Sequence, residues 1–203
     1  MLPRLFSLLL LAAVATTSYA QKNTKSTQNT PLANIDHKQP GTPMPPLVFM
    51  AYNDTTAENA TPPVKEKKRK RKTTTVSDSS LYSVVTDKDL DNNANLLVML
   101  FNPTCSHCEE MTFMLEKNID AFKRSKLVLL ATKPMEPYLA DYAQRHHVAR
   151  YPAMYIGYDT TKFIDEMFLY QTLPQINIFD RDRKLLKIFA GEVPADSLKK
   201  FIE

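Results

Sequence analysis

Residues 96–108 read LLVMLFNPTCSHC, and this stretch decides how the rest of the chain is interpreted. The apolar run Leu96–Phe101 is short and continuous, which predicts a buried β-strand. It is followed by Cys105 and Cys108, the two cysteines of the chain. Beyond them, apolar residues recur every three or four positions up to about Arg124, which predicts an amphipathic helix. A strand that ends in C-x-x-C and continues into a helix is typical of thiol–disulfide exchange.

The position of Cys105 at the predicted start of a helix has a chemical consequence. The first backbone N–H groups of a helix lack partners within it, and the helix dipole places partial positive charge at that end. Both favour a thiolate, the form of cysteine that attacks disulfides. The pair also has a second interpretation, a structural disulfide. Closing so small a ring would stabilise the fold by only about 2 kcal/mol.

The first twenty residues are typical of a secretory signal peptide. Arg4 precedes an apolar stretch over residues 5–14, and the small residues Ser18 and Ala20 fit the cleavage position. The alternative is an uncleaved anchor, but this apolar core is shorter than the ~20 residues that span a bilayer. We therefore expect secretion across the cytoplasmic membrane into the periplasm or another extracytoplasmic space, where disulfides can persist.

Residues 21–76 are predicted to form a disordered linker, because they are rich in Pro, Thr and Asn and contain few large apolar residues. They include the basic run Lys65–Lys72, with seven positive charges and one negative. This run is interpreted as a solvated linker or as a docking segment for an anionic lipid, a cell-envelope polymer or an acidic partner. Nucleic acid is not expected, since a signal peptide contradicts a nuclear location.

The folded domain is predicted over residues 77–203, with an α/β order of elements. A short helix or loop begins near Thr86, ahead of the first strand. The predicted elements after the helix at Cys105 are a strand at Leu127–Ala131, helices at Glu136–His146 and Lys162–Tyr170, strands at Gln175–Phe179 and Leu185–Phe189, and a helix at Pro194–Ile202. The two last strands are joined by a turn and form a hairpin.

Residues 80–203 resemble the thioredoxin-like superfamily and are most similar to exported redoxins of the TlpA/ResA type. The resemblance rests on the segment Asn102–Cys108 between strand and helix, on Leu173-Pro174 ahead of a strand, and on a closing strand and helix around Gly191. It implies a thioredoxin-like fold with a central mixed sheet flanked by helices. It also implies a thiol–disulfide oxidoreductase without a cofactor, which acts on protein dithiols or disulfides and exchanges electrons with a redox partner protein.

The resemblance implies roles for individual residues. Cys105 is the attacking thiol and Cys108 the resolving thiol. Pro174 is a cis-proline that faces the cysteines, and Leu173 before it pairs with the substrate chain. Pro152 is a rival for the cis-proline. His107 stabilises the Cys105 thiolate by its charge or by a hydrogen bond; the alternative is an exposed histidine with little effect.

Two of the departures from the thioredoxin pattern lie close to the cysteines in sequence. Thr104 stands where thioredoxins carry Trp, and Met99 stands where they carry a buried Asp that assists proton transfer.

A haem or a metal ion would be an alternative ligand for the cysteine pair. Glu109 follows Cys108, so the haem motif C-x-x-C-H is absent. A copper or zinc site would need both cysteines and His107 with His146 or His147, but a histidine pair at a helix end is more often exposed, so no metal is predicted. The alternative function is a non-catalytic thioredoxin-fold binding module with a structural disulfide or a metal clip.

Overall fold

The computed structural model describes residues 35–53, 81–122 and 124–201. Within these ranges the chain forms seven strands and four α-helices. The strands are β1 (Val48–Tyr52), β2 (Tyr82–Thr86), β3 (Leu96–Leu100), β4 (Lys126–Ala131), β5 (Met154–Asp159), β6 (Gln175–Phe179) and β7 (Leu185–Ala190). The helices are α1 (Ser106–Lys117), α2 (Glu136–Arg145), α3 (Phe163–Met167) and α4 (Ala195–Lys199). The α/β class predicted from the sequence is confirmed.

All seven strands belong to one mixed sheet, in the order β2-β1-β5-β4-β3-β6-β7. Strands β3, β4 and β5 are parallel to one another, and the remaining pairs are antiparallel. In β3, Leu97 and Met99 lie in one core, and the alternate residues, among them Val98, lie in the other. Because both faces of this strand are covered, its sequence is continuously apolar rather than alternating.

Helices pack on both faces of the sheet and complete the two cores. One core contains Met111 and Leu115 from α1 together with Leu139 from α2. The other contains Phe163 and Met167 from α3. Burial of these apolar side chains on both faces of the sheet is the main stabilising contribution to such a layered fold.

The domain begins earlier than residue 77, so the prediction of a disordered linker is wrong for residues 35–53. Strand β1 lies inside the sheet between β2 and β5, and its Phe49 is completely buried together with the preceding Leu47. The apolar residues there stand among prolines, which favour an extended spacer, and their partner β5 is about a hundred residues away in sequence. A pairing over such a separation leaves no local pattern to detect.

Two further strands were not predicted. Thr86 ends β2 instead of opening a helix. The backbone N–H and the hydroxyl of Thr86 donate hydrogen bonds to the Asp89 carboxylate, at 2.8 and 2.7 Å. Strand β5 contains Gly157, which weakens a strand signal. A Cβ atom at Gly157 would lie 2.2 Å from the carbonyl oxygen of Met50, so the close approach of β1 and β5 requires glycine there.

Three predicted helices are shorter than expected. Helix α1 ends at Lys117 instead of near residue 124, and a 3₁₀ turn at Ile119–Phe122 follows it. The predicted helix over residues 162–170 is confined to α3, and the predicted terminal helix over residues 194–202 to α4.

Two predicted segments lie outside the described residues, the signal peptide Met1–Ala20 and the basic run Lys65–Lys72. The basic run falls between β1 and β2, so it is an insertion within the domain and not a tail ahead of it. The two ends of this insertion meet at the sheet, where the Asn53 N–H donates to the Leu81 carbonyl at 2.8 Å. Across the described ranges, the helices are too short or too polar to cross a membrane.

Candidate functional site

The loop from β3 to α1 fixes Cys105 at the start of the helix. The side chain of Asn102 accepts hydrogen bonds from the backbone N–H and the hydroxyl of Thr104, both at 2.9 Å. The Cys105 N–H donates to the Asn102 carbonyl at 3.0 Å. Asparagine favours such turns because its short side chain can bond backbone groups two residues ahead. Cys105 therefore occupies the N-cap position of α1, and Cys108 lies in its first turn.

The two thiols have different environments. Cys105 is partly exposed, whereas Cys108 is completely buried. Burial raises the pKa of Cys108 to about 12, and the hydrogen bond and charge of Cys105 act in the same direction, against a backbone hydrogen bond from Asn102. Cys108 is therefore a protonated thiol at neutral pH, and Cys105 is the thiol that another molecule can reach.

Glu192 is a residue of the site that the sequence did not indicate. Its carboxylate lies 2.5 Å from Nδ1 of His107 at the exposed tip of α1. Glu192 follows Gly191, which has a φ of 72° and donates its N–H to the Pro174 carbonyl at 2.8 Å. Contacts thus run from His107 through residues 191 and 192 to Pro174. His107 and Glu192 are 85 positions apart in sequence, so no local pattern links them.

Leu173 and Pro174 lie at the same edge of the sheet as the cysteines. Among the described residues, the bond between them is the one cis peptide bond, whereas the bond before Pro152 is not cis. Gln175, the next residue, pairs with Leu100 at the end of β3. Because β3 leads into the C-x-x-C loop and Pro174 directly precedes β6, the cysteine loop and Pro174 lie at the same end of these two neighbouring strands. The role of Leu173 and Pro174 toward a substrate stays a prediction.

A buried polar cluster lies against the inner side of α1. The carbonyl of Cys108 accepts hydrogen bonds from the hydroxyls of Thr112 at 2.9 Å and of Tyr142 at 3.2 Å, and these hydroxyls lie 2.7 Å apart. Burial raises the pKa of Tyr142, so its hydroxyl remains a proton donor at any physiological pH. The cluster ties the first turn of α1 to α2 and holds the backbone of the buried cysteine.

His146 corrects the expectation of an exposed histidine pair at the end of α2, because it is completely buried while His147 is exposed. Its ring packs against Tyr142 and Phe113, and its Nδ1 lies 3.1 Å from a carboxylate oxygen of Glu116. Burial raises the pKa of Glu116 to about 7 and lowers the pKa of His146 to about 4. The spacing of residues 142 and 146 on one helix face was the available signal for this burial.

The Cys–His metal site considered from the sequence does not form among the described residues. The three side chains whose ligand atoms come within 4.8 Å of one another are His107, Glu110 and Glu192, and all three are exposed. An imidazole and two carboxylates suit a divalent cation chemically. Their exposure and the hydrogen bond between two of them are equally typical of an ordinary surface cluster.

No protein-family model and no curated protein matches this chain. Solved structures do. The thioredoxin domain of a thiol–disulfide oxidoreductase from Bacteroides vulgatus matches with 15% identity and a TM-score of 0.53, over 81% of this chain and 99% of that one. An uncharacterized conserved protein from Geobacillus kaustophilus matches with 18% identity and a TM-score of 0.50, over 76% and 69%. The chain has a thioredoxin-like fold, which confirms the predicted fold class.

Proposed function

We propose that this protein is an exported thiol–disulfide oxidoreductase that exchanges disulfides with protein substrates through Cys105 and Cys108. The observation that carries the proposal is the arrangement of the two thiols in a thioredoxin-like fold. One thiol is accessible at a helix N-terminus, and the other is buried one turn further along. A structural disulfide has no need for this division between an accessible and a buried sulfur.

The chemistry balances without a cofactor. The Cys105 thiolate attacks one sulfur of a substrate disulfide, and the other substrate sulfur leaves as a thiolate and takes a proton. Cys108 then loses its proton and attacks Cys105, which releases the second substrate sulfur. The substrate has gained two electrons and two protons, and the Cys105–Cys108 pair has become a disulfide. The reverse sequence transfers the disulfide to a substrate dithiol, and a redox partner protein resets the pair.

The raised pKa of Cys108 also fits the order of these steps. In the free protein, burial is the main cause of the raised pKa of Cys108, and the hydrogen bond and charge of Cys105 add a smaller contribution. Once Cys105 is bonded to a substrate sulfur, it carries no charge, and this contribution disappears. Cys108 then loses its proton more readily, at the stage at which it must act as the nucleophile.

The remaining site residues receive supporting roles. His107, whose Nδ1 contacts the Glu192 carboxylate, is inferred to stabilise the Cys105 thiolate by its charge or by a hydrogen bond. Leu173 and Pro174 present backbone to an extended substrate chain at the same edge of the sheet. The apolar N-terminal stretch supports export, and the insertion Lys65–Lys72 is proposed to dock on an anionic surface. Export would place the thiols where disulfide exchange with other proteins is required.

Replacement of Cys105 tests the proposal. We expect Cys105→Ala to abolish reduction of insulin disulfides, because the accessible nucleophile is lost. Cys108→Ala should instead accumulate a mixed disulfide with the substrate, because the resolving thiol is absent. Equilibration in graded thiol buffers, read by mass spectrometry, gives the reduction potential of the wild-type pair. A pair that resists reduction below about −300 mV would indicate a structural disulfide and contradict the proposal.

A further inference from the structure

A groove lies between helix α1 and the loop that follows β7, and we call it the α1 groove. It has a volume of about 400 Å³, which is within the range of roughly 300–1,000 Å³ that is usual for ligand pockets. Two of the six described residues that line it are carboxylates, and none is basic. The lining residues are Glu110, Met111, Met114, Glu192, Val193 and Pro194. The α1 groove is therefore a recess with negative charge.

The two carboxylates stand close together at the mouth of the α1 groove. Both Glu110 and Glu192 are exposed, and one oxygen of each lies within 4.8 Å of the other and of a ring nitrogen of His107. His107 supplies at most one positive charge against two negative charges. Carboxylates at such a separation repel each other, and a cationic group between them removes the repulsion. The mouth of the groove therefore favours a cationic occupant.

The floor of the α1 groove is apolar and fits the stem of a long side chain. Met111 and Val193 are only 2% and 7% exposed, and Met114 is half-buried. Methionine is unbranched and flexible, so it can adapt its shape to an occupant. Lysine and arginine bury their aliphatic stems against apolar surface while their charged ends stay in contact with polar groups. An apolar floor below two carboxylates therefore matches a lysine or arginine side chain.

The distance of the α1 groove from the attacking cysteine follows from the geometry of the helix. Cys105 is the N-cap of α1, and Glu110 and Met114 lie five and nine residues further along. At a rise of about 1.5 Å per residue, they lie roughly 7.5 and 13.5 Å from Cys105 along the helix axis. An extended chain covers about 3.3 Å per residue, so these lengths correspond to about two to four residues.

We propose that the α1 groove binds a lysine or arginine side chain of the polypeptide with which the cysteines exchange a disulfide. This side chain lies two to four residues from the reacting cysteine of that polypeptide. The inference rests on the proposed function and names a specificity determinant of the same site. Glu110 is the residue that tests it, because its carboxylate is exposed at the groove and takes no part in the exchange of the disulfide.

The test measures how fast four disulfides oxidise the reduced full-length protein in a single turnover. Three are peptide disulfides of equal length, with two arginines three residues to either side of the cysteine, two glutamines there, or two arginines ten residues away. The fourth is hydroxyethyl disulfide, which has no side chains. Dividing each peptide rate constant by that of hydroxyethyl disulfide cancels changes in the reactivity of Cys105. EDTA keeps divalent cations from the carboxylates.

Two variants with the same change of net charge are compared. Glu110→Lys reverses the charge at the mouth of the α1 groove. Asp182→Lys is the matched control, because Asp182 is an exposed carboxylate in the turn between β6 and β7. This turn follows Phe179, which pairs with Leu96 at the start of β3. Asp182 therefore lies at the opposite end of the sheet from the cysteines.

We expect wild-type protein to react about five- to tenfold faster with the near-arginine peptide than with the glutamine peptide at low salt. In 0.5 M salt the difference should fall to about twofold or less, because the carboxylates are exposed and screened. The far-arginine peptide should react like the glutamine peptide. Glu110→Lys should abolish or reverse the preference, and Asp182→Lys should keep it.

Three results would overturn the inference and leave the proposed function intact. The first is a wild-type protein that reacts equally well with the near-arginine and glutamine peptides. The second is an equal preference for the far-arginine peptide, or an equal loss in Asp182→Lys, since either would indicate attraction by net charge alone. The third is a preference that survives in Glu110→Lys. A wild-type protein that reacts with none of the four disulfides would instead contradict the proposed function, and the inference would fall with it.

Discussion

Helix α1 has a histidine–carboxylate pair on each side, and the two pairs differ in their surroundings. At the tip of the helix, His107 and Glu192 have side chains that are 66% and 50% exposed, so water and salt screen their interaction. On the inner side, His146 is completely buried, and Glu116 is nearly so. The groups are chemically the same, and the two distances are 2.5 and 3.1 Å.

The difference shows how burial decides what such a pair does. Burial disfavours the charged form of both partners, so the pKa of Glu116 rises and the pKa of His146 falls. In weakly acidic solution the inner pair holds one proton without net charge, and it acts as packing with a hydrogen bond. The outer pair carries little of the stability, and its histidine lies two residues along the chain from the accessible Cys105. One pair therefore serves the fold, and the other is proposed to serve the chemistry.

The largest expected effect comes from removing the buried histidine. His146→Ala should lower the free energy of unfolding by about 2–4 kcal/mol, because it leaves a cavity against Tyr142 and deprives Glu116 of its partner. The matched variant His107→Ala should change the free energy of unfolding by no more than about 0.5 kcal/mol. Urea unfolding of both variants measures the contrast. Equal effects of the two replacements would show that burial does not separate the pairs.

A smaller effect than that of His146→Ala is expected from Glu116, through the pH dependence of stability. Its pKa is about 7 in the folded protein and ordinarily 4.5, so the unfolded chain loses this proton first as the pH rises. Stability contributed by the protonated form is complete below pH 4.5 and is lost as the pH rises through 7. Relative to wild type, the free energy of unfolding of Glu116→Gln should increase by about 1–2 kcal/mol between pH 4.5 and pH 8. This value is reduced for the partial contact of Glu116 with solvent.

His146 contributes with the opposite sign. Its pKa is about 4 in the folded protein and ordinarily 6.5, so its contribution is present above pH 6.5 and is lost as the pH falls through 4. The two effects oppose each other between pH 4.5 and pH 6.5, and wild-type stability should vary little there because of this pair. Urea midpoints from pH 4 to pH 8 for wild type and Glu116→Gln test this. A constant difference at every pH would mean that Glu116 titrates normally.

The smallest effect is expected at the outer pair, in rate and not in stability. Glu192→Gln and His107→Gln should each slow the attack of Cys105 on a small disulfide by about two- to fivefold at low salt. The double variant should be no slower than either single one, because Glu192 acts through the histidine. Glu110→Gln is the matched control for loss of a neighbouring carboxylate. Additive losses, or losses that persist at high salt, would contradict this coupling.

The elements that the sequence predicted are those whose patterns involve residues close together in the chain. The strand Leu96–Leu100 and the helices at Cys105 and Glu136 were predicted because their patterns lie within a few residues. Strand β1 was missed, since its apolar residues count as core only once β2 and β5 lie on either side of it. Strand β5 was missed because Gly157 reads as a loop residue until the close backbone of Met50 is known.

The same distinction applies to the candidate site. Cys105, Cys108 and His107 are adjacent in the chain, and the C-x-x-C pattern together with the family resemblance marked them. Glu192 was missed, because its contact with His107 joins residues 85 positions apart in the sequence.

The amino-acid sequence by itself determined the class of fold, the identity of the two thiols and the start of the helix that carries them, because these depend on the periodicity and spacing of neighbours. Only the tertiary structure decided which histidine is buried and which carboxylate reaches His107. Those features depend on the solvent that packing removes from each group, and solvent exposure is a property of the assembled fold.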